Sequence, residues 1–293
     1  LAALEAIEAI TGQPSTNVVG YCLGGTLLAA LLAYLEATGE ASRVSSGTFL
    51  TSMIDFSDPG DLGVFIDDEQ VKSLEQKMSK DGYLDGSDMA TTFNMLRSND
   101  LIWSFVINNY LMGEAPAVFD LLYWNSDSTR MPARMHSEYL RSMYLENRFK
   151  EPGGMTLAGV PIDISSVKTP CYFLSTQDDH IAPWRSTFAG AGLFKGPVRF
   201  VLSGSGHIAG VVNPPEAGKY GHWTSRSRPR GDADAWQAKA SAKQGSWWPD
   251  WQKWAAKFTG TRVKARQPGA KKAFPALEAA PGSYASVRLD SPD

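Results

Sequence analysis

Residues 17–25 read Asn-Val-Val-Gly-Tyr-Cys-Leu-Gly-Gly, and this run limits what the rest of the chain can become. A short β-branched strand ends at Tyr21, and an apolar helix starts just after Gly25. Between them Cys22 sits with a glycine two positions before it and another two after. So abrupt a bend forces its central residue into a strained backbone conformation, at a cost of about 1–3 kcal/mol. Strand and helix then pass so close that side chains at positions 20 and 24 are expected to collide. The strain lifts the sulfur clear of the backbone at the positive end of the following helix, where a thiolate is favoured. A buried structural cysteine beside a glycine turn is the competing reading.

Strand, elbow and helix in this order form the nucleophile elbow of an α/β-hydrolase, with cysteine in the place of serine. The chain has room for that fold: 293 residues, 43% apolar and 20% charged, can bury a large core. A net charge of −3 argues against a generic nucleic-acid binder. Two cysteines, Cys22 and Cys171, give no disulfide framework and suit a reducing cytosol. Cys171 lies in the apolar run 169–174 and reads as a core strand residue. No apolar stretch reaches the roughly 20 residues of a membrane-spanning helix, and the start lacks the basic region of a signal peptide. Leu1, Leu4, Ile7 and Ile10 recur at helical spacing until Gly12 and Pro14 end the run. The elbow strand follows at once. An α/β-hydrolase sheet has several strands before that one. The expectation is therefore an N-terminally truncated α/β-hydrolase sheet, its early strands absent.

Residues 26–37 are apolar on nearly all sides, as in a buried helix, and 46–54 read as the next strand. No comparable strand appears before residue 169, too long a gap for an unstructured loop. The segment between is expected to be a large, mainly helical cap. Residues 78–86 read as turn-rich, and helices are expected over 89–96, 100–111, 117–124 and 137–148. Strands resume at 171–175 and 199–202, and closing helices at 232–242 and 248–258. The boundaries read as 1–58 for the first part of the hydrolase core, 59–165 for the cap, 166–259 for the second part of the core, and 260–293 for a Pro/Gly/Ala/Lys-rich tail.

Hydrolase triads run in chain order nucleophile, acid, histidine, each at the end of a different strand. After the strand ending at Leu174 two carboxylates compete, Asp178 and Asp179. Asp179 is favoured because Pro183 follows it at the spacing usual after this strand. After Leu202 comes Ser203-Gly204-Ser205-Gly206-His207, a glycine-flanked histidine on a pliable loop. Of the four histidines, His136 falls in the cap, His222 in a basic turn, and His180 beside the proposed acid. That leaves His207 as base for Cys22, with Asp179 orienting it. The amide of Leu23 is the expected oxyanion donor. No pair of His and Cys has metal-ligand spacing, and no phosphate loop or dinucleotide fingerprint appears, so neither metal nor cofactor is expected. Lys219, Arg226, Arg228 and Arg230 could meet a phosphorylated substrate such as coenzyme A or form a solvated face.

Several strings then carry a family resemblance: Gly20 to Gly25, Tyr123-Trp124-Asn125, Asp179 to Trp184, Ser205 to Pro215, and Gly245 to Trp251. In this order they resemble the poly(3-hydroxyalkanoate) synthases, the string around His207 being most similar to the class I, short-chain type. The resemblance implies a homodimer, here through the cap, working in the cytoplasm at the surface of polyester granules. It implies transfer of an (R)-3-hydroxyacyl group from coenzyme A to Cys22, release of free coenzyme A, and attack of the growing chain's hydroxyl on the acyl thioester. The family's nucleophile, acid and histidine fall on Cys22, Asp179 and His207. Whether Asp179 activates the hydroxyl or orients His207 stays open. Trp124 and Asn125 are candidate walls of a substrate channel, though core packing suits them equally; His180 is a candidate beside them, though a packing or hydrogen-bonding role suits it better. The rival reading is a cysteine hydrolase, such as an intracellular polyester depolymerase or a thioesterase.

Overall fold

The structure, a computed structural model, describes residues 1–96, 98, 102–116, 129–267, 269 and 272–287. The chain divides into two compact units, Leu1–Gly63 with Ser142–Ala265, and Val64–Arg141 with Arg266–Asp293. The first unit is built on a six-stranded sheet whose strands lie side by side in chain order. Thr16–Tyr21, Val44–Leu50, Cys171–Thr176 and Val198–Ser203 run parallel. His222–Thr224 then turns back antiparallel to Val198–Ser203, and Ser241–Lys243 runs antiparallel to it in turn.

Each face of this sheet has its own apolar layer. On one, the rings of Phe49 and Phe173 stack at 4.3 Å and Phe194 meets both edge-on. The helix Leu23–Ala37 belongs to the same core, burying Leu28, Ala29, Leu32, Ala33 and Leu35. Tyr172, Leu174 and Val201 gather with Val211, Trp247 and Trp254 in a second cluster. Parallel strands covered on both faces need near-continuous apolar sequence, and Cys171–Thr176 is buried at every position.

The second unit holds the helices Asp68–Asp81 and Gly86–Leu96, a helical stretch ending in the π-turn Val106–Leu111, and the helix Ala133–Tyr139. Asp67 starts the first of these, its carboxylate accepting from the Gln70 amide at 2.8 Å, and Gly82 ends it at φ 78. That helix covers residues 78–81 of the stretch expected to be turns. Its Val71 and Met78 are the buried side. The helix expected over 117–124 lies outside the described residues.

Three other expectations change. Residues 142–165, assigned to the cap on sequence, fall in the sheet unit. Tyr144 packs edge-on against Phe56, and Asn147 bonds Asp55 and Phe56. Within this stretch Met155–Leu157 and Val160–Ile162 form a hairpin. Ala158 and Gly159 sit at its tip with φ 48 and 79, the two positive angles that a tight two-residue turn requires. The closing helix expected over 232–242 stops at Lys239, and Ser241–Lys243 is a strand. His222, expected in a basic turn, is likewise in a strand and is buried. Three-residue strands are too short to show alternation, so pairing with a neighbour decides them.

Candidate active site

The elbow forms because three backbone bonds leave Cys22 no alternative. Its amide donates to the Leu50 carbonyl at 2.9 Å, and its own carbonyl accepts from Gly25 at 2.9 Å and Thr26 at 3.4 Å. The residue is held at φ 52, ψ −122 as the N-cap of the helix Leu23–Ala37, a region costly to any residue but glycine. Cys22 is half-buried at the positive helix end. Leu23 is the first helical residue, so its amide has no acceptor within the helix and is available to an oxyanion.

The glycine requirement differs from that expected. A Cβ at Gly20 would lie 2.6 Å from the Gly24 carbonyl oxygen and 2.6 Å from the Gly25 Cα, and one at Gly25 would overlap the Ser52 side chain. Nothing lies within 4 Å of a Cβ at Gly24. The close approach is thus between positions 20 and 25, because the helix turns Gly25, not Gly24, toward the strand.

Asp179 follows the strand Cys171–Thr176. Its Oδ1 accepts from the amides of Ile181 and Ala182, both at 2.9 Å. Its Oδ2 accepts from Thr176 Oγ1 at 3.1 Å and meets His207 Nδ1 at 2.8 Å. Asp178 is exposed, with its amide donating to the Ser205 carbonyl at 3.0 Å.

His207 comes from the loop after Val198–Ser203 and is 8% exposed. Burial works against the charged ring, but hydrogen bonds to Asp179 and to Cys22 outweigh it and push His207 up to about 9. With Nδ1 taken by Asp179, Nε2 is the nitrogen left for the sulfur. The loop is held from behind as well: Trp247 Nε1 donates to the Gly210 carbonyl at 3.1 Å, and Trp248 Nε1 to that of Val211 at 3.0 Å. The elbow also reaches it, Tyr21 donating its phenol to the His207 carbonyl at 2.9 Å. Tyr21 and the tryptophan pair reach this loop through backbone carbonyls, contacts between distant segments for which the sequence carries no local signal, and Thr176 reaches Asp179 through its carboxylate.

The structure therefore brings Cys22, His207 and Asp179 together at the carboxyl edge of the parallel strands, where open α/β sheets place their ligands. His180 is half-buried beside Asp179. Trp124 and Asn125 lie outside the described residues. Cys171 is fully buried, which pushes its thiol well up and keeps it unreactive. Arg228, from the basic stretch, donates to the carbonyls of Phe194 and Lys195 and so braces a helix end. Among the described residues no group of three or more His, Cys, Asp or Glu is placed to hold a metal ion.

Parallel sheet, strained elbow and a hydrogen-bonded histidine–aspartate pair are the parts of an α/β-hydrolase, and a model of the alpha/beta hydrolase fold matches residues 1–214. The chain belongs to that family. Over 286 residues it is 54% identical to the poly(3-hydroxyalkanoate) polymerase subunit PhaC of Rhizobium meliloti, covering 98% of this chain and 46% of that protein. It is 51% identical to the poly(3-hydroxyalkanoate) polymerase of Methylorubrum extorquens over 98% of this chain and 47% of the relative. The figure for the Cupriavidus necator subunit PhaC is 42%, over 98% and 50%. The chain spans about half the length of the curated relatives it matches.

Proposed function

We propose that this chain carries the catalytic centre of a poly(3-hydroxyalkanoate) polymerase, with Cys22 as nucleophile, His207 as general base and Asp179 as its orienting partner. The observation that carries this is the Asp179–His207 pair, bonded at 2.8 Å, beside the strained elbow that presents Cys22, in a chain 54% identical to a named polymerase subunit. With the Cys22 proton held on His207, whose charged form Asp179 and Cys22 favour, the sulfur attacks the carbonyl carbon of a 3-hydroxyacyl-coenzyme A thioester. The oxyanion faces the Leu23 amide. The carbon–sulfur bond to coenzyme A breaks, and the departing thiolate takes the proton back from His207 to leave as free thiol. The 3-hydroxyacyl group stays on Cys22 as a thioester. A growing chain's hydroxyl then gives its proton to His207 and attacks that thioester, forming the ester and returning the sulfur. Thiol and imidazole suffice for these steps, so no cofactor is invoked.

The surroundings of Asp179 support an orienting role. Its side chain has 0% exposure and its oxygens already accept from Ile181, Ala182, Thr176 and His207, leaving no approach for a substrate hydroxyl. Assembly as a homodimer through the second unit is part of this reading. Trp103, Tyr110, Leu111 and Met112 are 55%, 87%, 75% and 67% exposed, large apolar side chains open to solvent within one segment of that unit. The same surface suits adhesion to a polyester granule in the cytoplasm. No helix among the described residues is long and apolar enough to cross a membrane.

The test is incubation with 3-hydroxybutyryl-coenzyme A, following free thiol and precipitable polyester together. Both should rise in step, and both should vanish in Cys22→Ala. Free thiol with monomeric hydroxy acid and no polymer would make the chain a hydrolase.

A further inference from the structure

We infer that Tyr21, the residue directly before the nucleophile, is a positioning residue that fixes His207 opposite Cys22 through its phenol hydroxyl. This rests on the reading of Cys22 and His207 as a reacting pair. Tyr21 Oη donates to the His207 carbonyl at 2.9 Å, and the two rings lie 5.3 Å apart with planes inclined at 31°. Tyr21 closes the elbow strand in register with Leu50, whose carbonyl also takes the Cys22 amide. Phenol and sulfur therefore issue from consecutive residues on one rigid element.

His207 has no such support of its own. It follows Ser205, at φ 70, and Gly206 on an irregular loop. Asp179 fixes the ring at Nδ1 but leaves it able to swing about that bond whenever the backbone shifts. Trp247 and Trp248 hold the loop farther on, at Gly210 and Val211. The Tyr21 bond holds the backbone of His207 itself and ties it to the nucleophile's strand. Burial, reinforced by Cys22 and Asp179 nearby, keeps the phenol protonated, so it remains a donor at any working pH.

The experiment is alkylation of the intact chain by iodoacetamide, followed by mass. Cys171 is fully buried, so one adduct reports Cys22. Tyr21→Phe keeps the ring and removes only the hydroxyl. At neutral pH it should alkylate about fivefold more slowly, the scale of one lost hydrogen bond, with an unchanged melting temperature. In a His207→Gln background the same substitution should add no further slowing. Wild-type alkylation in Tyr21→Phe, or equal slowing with and without His207, overturns the inference. A collapse of the melting temperature also overturns it, by making the hydroxyl a structural tie. His207→Gln alkylating like the wild type would remove the reacting pair and the inference with it. Alkylation needs no acyl thioester, so absence of polymerisation would bear on the proposed activity and not on this result.

Discussion

Asp179 Oδ2 and His207 Nδ1 stand 2.8 Å apart, and the aspartate side chain has no exposed surface. A carboxylate so enclosed and so fully bonded is a fixed negative charge against which the ring can ionise.

The pair links stability to pH. His207 is raised to about 9 in the folded chain, against about 6.5 when unfolded. A raised histidine contributes stability fully below the unfolded value and loses it as pH climbs through the folded one. The stability gap between wild type and Asp179→Asn should therefore be widest near pH 6 and shrink toward about pH 10. Thermal melts across that window check it, and a gap that widens with pH contradicts it. The His207 ring itself, followed by NMR, should titrate far lower in Asp179→Asn, because burial remains and the carboxylate is gone.

Strain at Cys22 gives a second prediction. At φ 52, ψ −122 a Cβ is unwelcome, so Cys22→Gly should be more stable than Cys22→Ala by about 1 kcal/mol, reversing the usual order. Neither variant should turn over substrate. Denaturation midpoints set beside activity would then separate the geometry the elbow imposes from the sulfur it presents.

The glycines next to Cys22 should behave differently from one another. Gly24→Ala meets nothing within 4 Å and sits in the first helical turn, so it should be neutral or stabilising by up to about 1 kcal/mol. Gly25→Ala drives a methyl into Ser52, and Gly20→Ala drives one into backbone that cannot yield. Both should appear largely insoluble. Soluble yield and melting temperature of the three variants decide the matter.

How much of this was legible beforehand depends on the range of each signal. The elbow, the two strands carrying Asp179 and His207, and the helix after Cys22 all show as local pattern. The choice between Gly24 and Gly25 did not, because it depends on which side of a helix faces the strand, a rotation that spacing alone leaves open. The helix Asp68–Asp81 was legible and missed: Asp67 with Gln70 is a capping pair, Val71 and Met78 share a face, and Gly82 stops it. The strands His222–Thr224 and Ser241–Lys243 were not legible, since three residues carry no period and their pairing is long-range. Tyr21, Thr176 and the tryptophans around His207 act through contacts set only once the sheet is assembled.

The stem joining residues 55–57 to residues 147–150 gives the last prediction. Asn147 Nδ2 donates to Asp55 Oδ1 at 2.7 Å, while its Oδ1 accepts the Phe56 amide at 2.9 Å. Its backbone sits at φ 48, ψ 36, a left-handed position that asparagine tolerates better than alanine. Burial alone would raise Asp55, yet bonds from Ser57 and Asn147 hold its carboxyl below the usual range. Asn147→Ala should cost about 2–4 kcal/mol, since it takes one donor from a partly buried carboxylate that keeps Ser57 and Lys150, removes the acceptor of the Phe56 amide and strains the backbone. Asn147→Gly should recover about 1 kcal/mol of that by removing only the strain. A depressed carboxylate contributes stability above its unfolded value and loses it as pH falls, so both variants should lose less stability on acidification than the wild type. Urea midpoints at neutral and mildly acidic pH measure both effects. Equal midpoints for the alanine and glycine variants would show that backbone strain at position 147 contributes nothing.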